Sequence, residues 1–293
     1  MDNIFITGAN GFLGTNLVKH FLDAGHEVVA VIRADGAQDN LTNLGCQVIE
    51  YDGSIASLQP NLNANTTVIH TASYYVAEHK KEDIAILTSS NLQYGLNLLE
   101  AMRIGGTKKI INIGTAWQGY EGKERRPVNL YAATKQAFED FIAYYCDAEG
   151  FSSISLRLND TYGEEDTRMK LIKLLINAGI TQKGFDMSPG EQKINLTHIS
   201  DVCCAIESAT INLSSISSFE IYNLINKDEF TLIKLVDIIE KELDMSIPVN
   251  WGAKNYRVRE VMLPMTMNTF PNWKAKYNIE NGIRAVYKTL KVN

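Results

Sequence analysis

The chain has 293 residues, with 28 lysines and arginines against 34 acidic residues, a net charge of −6, 45% hydrophobic and 21% charged side chains. That length suits one large α/β domain carrying a smaller lobe, and the composition is that of a globular protein with a substantial core. No basic run is long enough to track a phosphate backbone, which argues against a nucleic-acid partner while leaving room for a local basic pocket.

Met1-Asp2-Asn3 runs straight into a strand-like segment with no charged and apolar leader, and no stretch approaches the roughly eighteen apolar residues that span a bilayer. A cytoplasmic protein without a membrane partner is expected. The four cysteines, Cys46, Cys146, Cys203 and Cys204, show neither C-x-x-C spacing nor a histidine cluster, and read as reduced, packed thiols with no metal site.

In chain order, Asn3–Thr7, Glu27–Ile32, Gln47–Tyr51, Thr67–His70, Lys109–Ile113 and Ser153–Leu158 are short runs rich in Val and Ile, each reading as a buried strand. Segments with apolar residues at three- and four-residue steps lie between several of them, among them Leu87–Met102 and Tyr131–Cys146. This alternation predicts an α/β fold, a Rossmann-type doubly wound parallel sheet with helices on both faces and ligands beyond the strands' carboxyl ends. After Gly163 the pattern changes to helical segments (Leu171–Ala178, Ile199–Thr210, Thr231–Leu243, Asn278–Leu290) mixed with a short strand, Phe219–Leu224. Residues 1–163 are therefore read as a dinucleotide-binding domain and 164–293 as a smaller, mixed substrate-binding lobe, partly interleaved with it.

The first strand leads into Thr7-Gly8-Ala9-Asn10-Gly11-Phe12-Leu13-Gly14 and an amphipathic stretch, Thr15–Ala24. Glycines there permit a tight turn, a close approach of pyrophosphate and close helix–strand packing, and the helix start offers free N–H groups and its positive end to phosphate. Gly8, Asn10, Gly11, Phe12, Leu13 and Gly14 are the candidate dinucleotide cradle. The second strand ends Val31-Ile32-Arg33. Arginine there accommodates a 2′-phosphate and favours NADP(H), whereas Asp35, two residues on, would take the acidic role and keep NAD(H) possible.

Tyr131 and Lys135 stand four apart on one helix face just after Pro127. A nearby cation favours the phenolate, so Lys135 is expected to lower the Tyr131 pKa and make the phenol usable in proton transfer. Tyr287 and Lys291 repeat that spacing, but nothing around them reads as a site. What distinguishes Tyr131 is the preceding strand ending in Gly114-Thr115-Ala116-Trp117, whose hydroxyl can hydrogen-bond a substrate oxygen.

The spacing G-x-x-G-x-x-G, and T-G-A-x-G-F-L-G in particular, resembles the extended branch of the short-chain dehydrogenase/reductase superfamily. Thr115, Tyr131 and Lys135 match that family's Ser/Thr–Tyr–Lys triad, which implies that Lys135 also holds the nicotinamide ribose. By the same resemblance Asp52, with Gly53, is the acidic residue near adenine. Thr71-Ala72-Ser73, after a core-type His70, is the small-residue turn beside the cofactor. Leu156-Arg157-Leu158-Asn159-Asp160-Thr161-Tyr162-Gly163 is similar to the L-R-x-x-N-x-Y-G segment, with Asp160 in place of Asn. Leu196–Val202 is similar to V-H-V-x-D-V, with Asp201 a helix-start residue.

Relatives act mainly on nucleotide-linked sugars. The dehydratases carry Thr-Asp-Glu where this chain has Thr115-Ala116-Trp117, so dehydration has no acid–base pair. Overall the chain most resembles nucleotide-4-keto-6-deoxyhexose reductases of the CDP-abequose and CDP-paratose synthase type, which make deoxysugars for surface polysaccharides. That implies NADPH-dependent reduction at C4 of a nucleotide-diphosphate keto sugar. A 4-epimerase, a reductase of nucleotide-free carbonyls and a non-catalytic NADP(H) sensor stand as alternatives. Trp117 and Gln118 are candidate sugar-pocket residues, core packing being equally open for the tryptophan. Asn195, Arg257 and Arg259 are candidate diphosphate holders, the arginines reading equally as a solvated pair with Glu260. The resemblance further implies a homodimer built on the helices Asp83–Met102 and Tyr131–Cys146.

Overall fold

A computed structural model describes residues 3–34, 39–216 and 218–292. Its strands are β1 (Asn3–Thr7), β2 (Glu27–Arg33), β3 (Gln47–Tyr51), β4 (Thr66–His70), β5 (Lys109–Thr115), β6 (Ser152–Leu158), β7 (Asp160–Tyr162), β8 (Phe185–Asp186), β9 (Lys193–His198), β10 (Phe219–Leu224), β11 (Glu229–Thr231) and β12 (Val249–Asn250). Seven of them form one sheet in the order β10-β6-β5-β4-β1-β2-β3, parallel throughout. Its inner strands β1, β2, β4, β5 and β6 are buried on both faces, which is why they read as unbroken apolar runs rather than alternating ones.

The chain winds outward from β1 to β3, then returns to place β4 on the other side of β1. That reversal is the switch point, where a crevice opens at the carboxyl ends of β1 and β4. Helices Phe12–Asp23 and Ile199–Asn212 cover one face through Leu17, Phe21, Val202 and Ile206. Helices Tyr94–Gly105 and Leu130–Glu149 cover the other through Leu98, Met102, Phe138 and Ile142.

A third apolar cluster belongs to the lobe, where helices Leu171–Thr181, Leu232–Leu243 and Ile279–Val292 pack together. Beside them β7 pairs parallel with β9 and β9 antiparallel with β11. Residue 163 divides the chain but not the space. The helix Ile199–Asn212 and β10 return to the large sheet, β10 as its edge strand beside β6. No helix among the described residues is long and apolar enough to cross a membrane.

The periodic segment Leu87–Met102 is not one regular helix. Asp83–Thr88 and Tyr94–Gly105 are joined by a π-turn, Ser89–Gln93. The wider turn accompanies the burial of Asn91, 2% exposed, whose side chain bonds Tyr74 and Thr134.

Candidate active site

The glycine turn is built by close approach. Gly8 has φ +67, a left-handed conformation that favours glycine, and a Cβ there would lie 2.8 Å from the Ala72 backbone. A Cβ on Gly14 would lie 2.1 Å from the Gly8 carbonyl oxygen and 2.7 Å from Ala9 Cα, so the helix start can rest on the turn only without a side chain. Gly11 precedes the first helical residue, Phe12, and no side chain caps the helix start. Its first N–H groups are thus left for a ligand. Asn10 and Gly11 are exposed at the tip, and Phe12 and Leu13 are partly buried behind it.

The ends of β1 and β4 are stitched together. Thr71 Oγ1 donates to Thr7 O at 2.6 Å, Thr7 Oγ1 is bonded to His70 Nδ1 at 2.8 Å, and Ala72 N donates to Thr7 Oγ1 at 3.3 Å. Thr71, Ala72 and Ser73 therefore lie against the glycine turn. Asp52 and Gly53 are exposed past β3, and the Asp52 carboxylate accepts Ser54 N at 2.8 Å. Arg33 is exposed at the end of β2; Asp35, the acidic alternative, lies outside the described residues.

Tyr131 and Lys135 sit in the first turns of Leu130–Glu149, a helix started by Asn129, whose side chain accepts Ala132 N at 2.9 Å. The other end of the Asn129 amide donates to Ala77 O at 2.9 Å. Asn91 accepts Tyr74 N at 2.7 Å and donates to Tyr74 O at 3.0 Å and Thr134 Oγ1 at 2.9 Å. These two asparagines pin the loop after β4 onto the helix carrying Tyr131. The consequence is contact: the Ser73 side chain acts on the Tyr131 phenol, and the Tyr75 ring meets the Tyr131 ring edge-to-face at 5.0 Å.

Thr115 ends β5, 9% exposed. Its hydroxyl accepts Trp117 N at 3.3 Å, leaving its own proton to give.

The electrostatics differ from expectation. Lys135 was expected to hold the phenol acidic. Instead burial dominates and pushes Tyr131 up to about 12, with the Ser73 side chain pulling the other way, the Tyr75 phenol adding to the rise and Arg168 opposing it. Burial also pushes Lys135 down to about 8, partly countered by the Glu139 carboxylate. Lys135 is 3% exposed, and no hydrogen bond or ion pair to its ammonium occurs among the described residues. A buried ammonium without a partner, a bare helix start and a turn that excludes any Cβ together fit a dinucleotide whose ribose hydroxyls and pyrophosphate take those donors.

Next to this centre lies a cavity of about 720 Å³, lined by Tyr75, Ala116, Trp117, Asp160 and residues of the lobe. Tyr75 and Ala116 are the direct neighbours of Tyr131 and Thr115, so the cavity abuts the triad. Arg168, Lys170 and Arg257 bring positive charge to its wall. The Lys170 ammonium lies 4.2 Å from the centre of the Tyr75 ring, and Arg257 lies over Trp117 at 5.7 Å.

Three proposed substrate contacts are placed otherwise. Gln118 is fully buried behind β5, its Oε1 accepting Thr115 N at 2.9 Å, and so supports the strand end rather than the sugar pocket. Asn195 borders the cavity, but its amide donates to Asn226 O at 2.7 Å and Asp228 O at 3.3 Å while its oxygen accepts Asn226 N. Its polar atoms are taken by tying β9 to the following loop. Arg259 lies over the Tyr120 ring at 4.7 Å, outside the cavity lining. Its expected partner, Glu260, instead accepts Arg257 N at 3.2 Å.

Sequence reasoning missed Tyr75 and Lys170. Tyr75 follows the recognised Thr71-Ala72-Ser73 turn by two residues, a position that could have marked it. Tyr287 and Lys291 do pair, with the ammonium 4.6 Å from the ring centre, on the last helix.

Residues 4–224 match the NAD dependent epimerase/dehydratase family. The chain is 25% identical to the CDP-abequose synthase of Yersinia pseudotuberculosis over 89% of its length and 91% of the relative's. It is also 25% identical to that of Salmonella muenchen, over 96% and 95%. Among solved structures, a UDP-glucuronic acid 4-epimerase from Bacillus cereus, in complex with UDP-glucuronic acid and NAD, superposes with a TM-score of 0.87 at 21% identity, covering 99% of both chains. The chain therefore belongs to the NAD dependent epimerase/dehydratase family and is an NAD(P)-dependent enzyme.

Proposed function

We propose that this enzyme reduces the C4 keto group of a nucleotide-linked 4-keto-6-deoxyhexose, using NADPH, in the making of a deoxysugar. What supports the reading is the placement of the Tyr131 phenol and the free Thr115 hydroxyl proton beside a cavity whose wall carries Arg168, Lys170 and Arg257, with Ala116 and Trp117 where a carboxylate pair would be needed for dehydration. At neutral pH the Tyr131 phenol carries its proton, as an ordinary tyrosine does, and can give it to a developing alkoxide.

A bound reduced nicotinamide would supply the hydride. Tyr131 gives its proton to the C4 oxygen as charge develops there. Thr115 orients the same oxygen through its free hydroxyl proton. Lys135 holds the ribose and, as a cation, stabilises the phenolate that the transfer leaves. Arg168, Lys170 and Arg257 suit a nucleotide diphosphate along the cavity wall, with Trp117 and Asp160 toward the sugar. The absence of acidic residues at Ala116 and Trp117 argues against dehydration, and Arg33 supports NADPH over NADH. The curated relatives named CDP-abequose synthase support a nucleotide sugar as substrate.

The test is to supply CDP-, dTDP- and GDP-linked 4-keto-6-deoxyhexoses with NADPH and follow the absorbance of the reduced nicotinamide. Turnover with one of them is expected. Turnover only with a nucleotide-free ketone would overturn the proposal. A second reading, 4-epimerisation, is favoured by solved neighbours that are UDP-sugar 4-epimerases. It predicts interconversion of UDP-hexoses with no net consumption of NADPH.

A further inference from the structure

Behind the reacting pair lies a buried polar frame centred on Arg157 and Glu139. Arg157 of β6 and Glu139 of the helix Leu130–Glu149 are each 1% exposed and paired, Nη2 to Oε2 at 2.7 Å and Nε to Oε1 at 3.2 Å. Arg157 Nη1 also reaches Glu124 at 2.6 Å, on the loop that follows Gln118. Arg157 Nη2 donates to Gln136 Oε1 at 3.2 Å, to which Gln118 Nε2 also donates at 3.4 Å, and Gln118 Oε1 takes the backbone N–H of Thr115. Ser155 closes the set by donating to Glu139 Oε1 at 2.7 Å. The frame reaches the strand through Gly114, where a Cβ would stand 2.8 Å from Gln118 Oε1 and 2.9 Å from Arg157 Cγ.

Of the triad, Thr115 is bonded to this frame and Lys135 stands one helical turn from it. Thr115 is attached by its backbone. Lys135 is one helical turn before Glu139, on the same face. The charged and titratable groups acting on its ammonium are Glu139 from its own helix and His70 from the end of β4. Burial keeps His70 far below its ordinary range, and therefore neutral, with Lys135 adding to that effect. Glu139 is thus the acidic group nearest in influence to Lys135, opposing the effect of burial on its ammonium. Burying a carboxylate this deeply calls for a paired charge, and Arg157 supplies it.

We propose that Glu139, ion-paired with Arg157, is a positioning residue for Lys135, while Gln118 and Gln136 fix Thr115 to the same frame. The inference rests on the reading of Tyr131 and Lys135 as the reacting pair, but its first test needs no substrate. Lysine labelled with ¹³C at the ε-carbon is titrated by NMR in the full-length protein, the Lys135 resonance being identified by its loss in Lys135→Met.

Wild-type Lys135 should titrate near pH 8. Glu139→Gln should move that midpoint down by about half a unit or more. Because Glu139→Gln leaves a buried Arg157 and can fail to fold, the double variant Glu139→Gln/Arg157→Met removes both charges together and should shift the midpoint in the same direction by less, the opposing Arg157 cation being gone as well. An unchanged midpoint in the folded double variant overturns the proposal.

With a keto-sugar substrate, the alkaline limb of kcat should move down in parallel while KM stays within about twofold. A uniform loss of kcat with an unmoved limb would reduce the frame to scaffolding and overturn the proposal. A shifted NMR midpoint without turnover on any keto sugar would leave the frame standing and refute the substrate assignment instead.

Discussion

Replacing Lys135 by methionine should make the protein more stable. The residue is 3% exposed, and no ion pair or hydrogen bond to its ammonium occurs among the described residues. Moving its pKa from 10.5 to about 8 corresponds, at about 1.4 kcal/mol per unit, to about 3 kcal/mol of instability at pH 7. Methionine fills similar space without the charge, and the neighbouring Glu139 keeps Arg157, so no charge is orphaned. The sign with pH follows from proton binding. Between about 8 and 10.5 the unfolded lysine is protonated and the folded one is not. Wild-type stability contributed by this group therefore rises with pH across that window. Urea unfolding of both ligand-free proteins should give Lys135→Met an advantage of about 2–3 kcal/mol at pH 7, shrinking toward zero as pH approaches 10.5. A variant less stable than wild type at pH 7, or an advantage that does not change with pH, would refute the reasoning.

Tyr131→Phe removes the proton donor and should lower kcat by about 10²–10⁴-fold, with NADPH affinity by fluorescence titration essentially unchanged; retained turnover would remove Tyr131 from the chemistry. Gly14→Ala drives a Cβ to 2.1 Å from the Gly8 carbonyl oxygen. Because the obstacle is backbone, the turn must distort at about 1–3 kcal/mol or more, and calorimetry should show cofactor binding weakened at least about tenfold. Arg33→Ala should weaken NADPH by roughly tenfold or more while leaving NADH nearly unchanged, and equal losses for both would assign Arg33 a merely general role. For the reduction, kcat/KM should be level at neutral pH and fall above about 8, where Lys135 loses its charge; a rate climbing steadily from pH 6 to 9 would identify a base in place of the acid.

Much of this architecture is legible in the chain because the parallel sheet is buried on both faces. Each strand from β1 to β6 is an apolar run bounded by polar residues, and β10 was found the same way. The two- and three-residue strands β7, β8, β11 and β12 have no period to detect. The π-turn at Ser89–Gln93 was invisible for another reason: its cause is tertiary. Asn91 is drawn into contact with Tyr74 and Thr134, and a helix-period pattern does not register one extra residue in a turn.

Motif residues held by backbone geometry were the easiest to place, since Gly8, Gly14, Thr115 and Tyr131 are fixed by where a strand stops or a helix starts. Side-chain contacts across the fold were not. Gln118 read as a pocket residue because it follows Trp117, yet a strand end turning into a short helix sends alternate side chains to opposite sides. Trp117 goes to the cavity, and Gln118 goes back to Thr115 N and Gln136.

The same limit explains the reversal at Tyr131. From spacing alone, a lysine four residues on lowers a phenol's pKa, because spacing shows the neighbour and conceals the solvent. Folding removes water from both groups, and desolvation disfavours whichever form is charged, raising the phenol and lowering the ammonium. The outcome at neutral pH is a neutral phenol beside an ammonium, a pair with a proton to give. The burial that makes Lys135 costly to fold is therefore the same burial that raises the Tyr131 phenol.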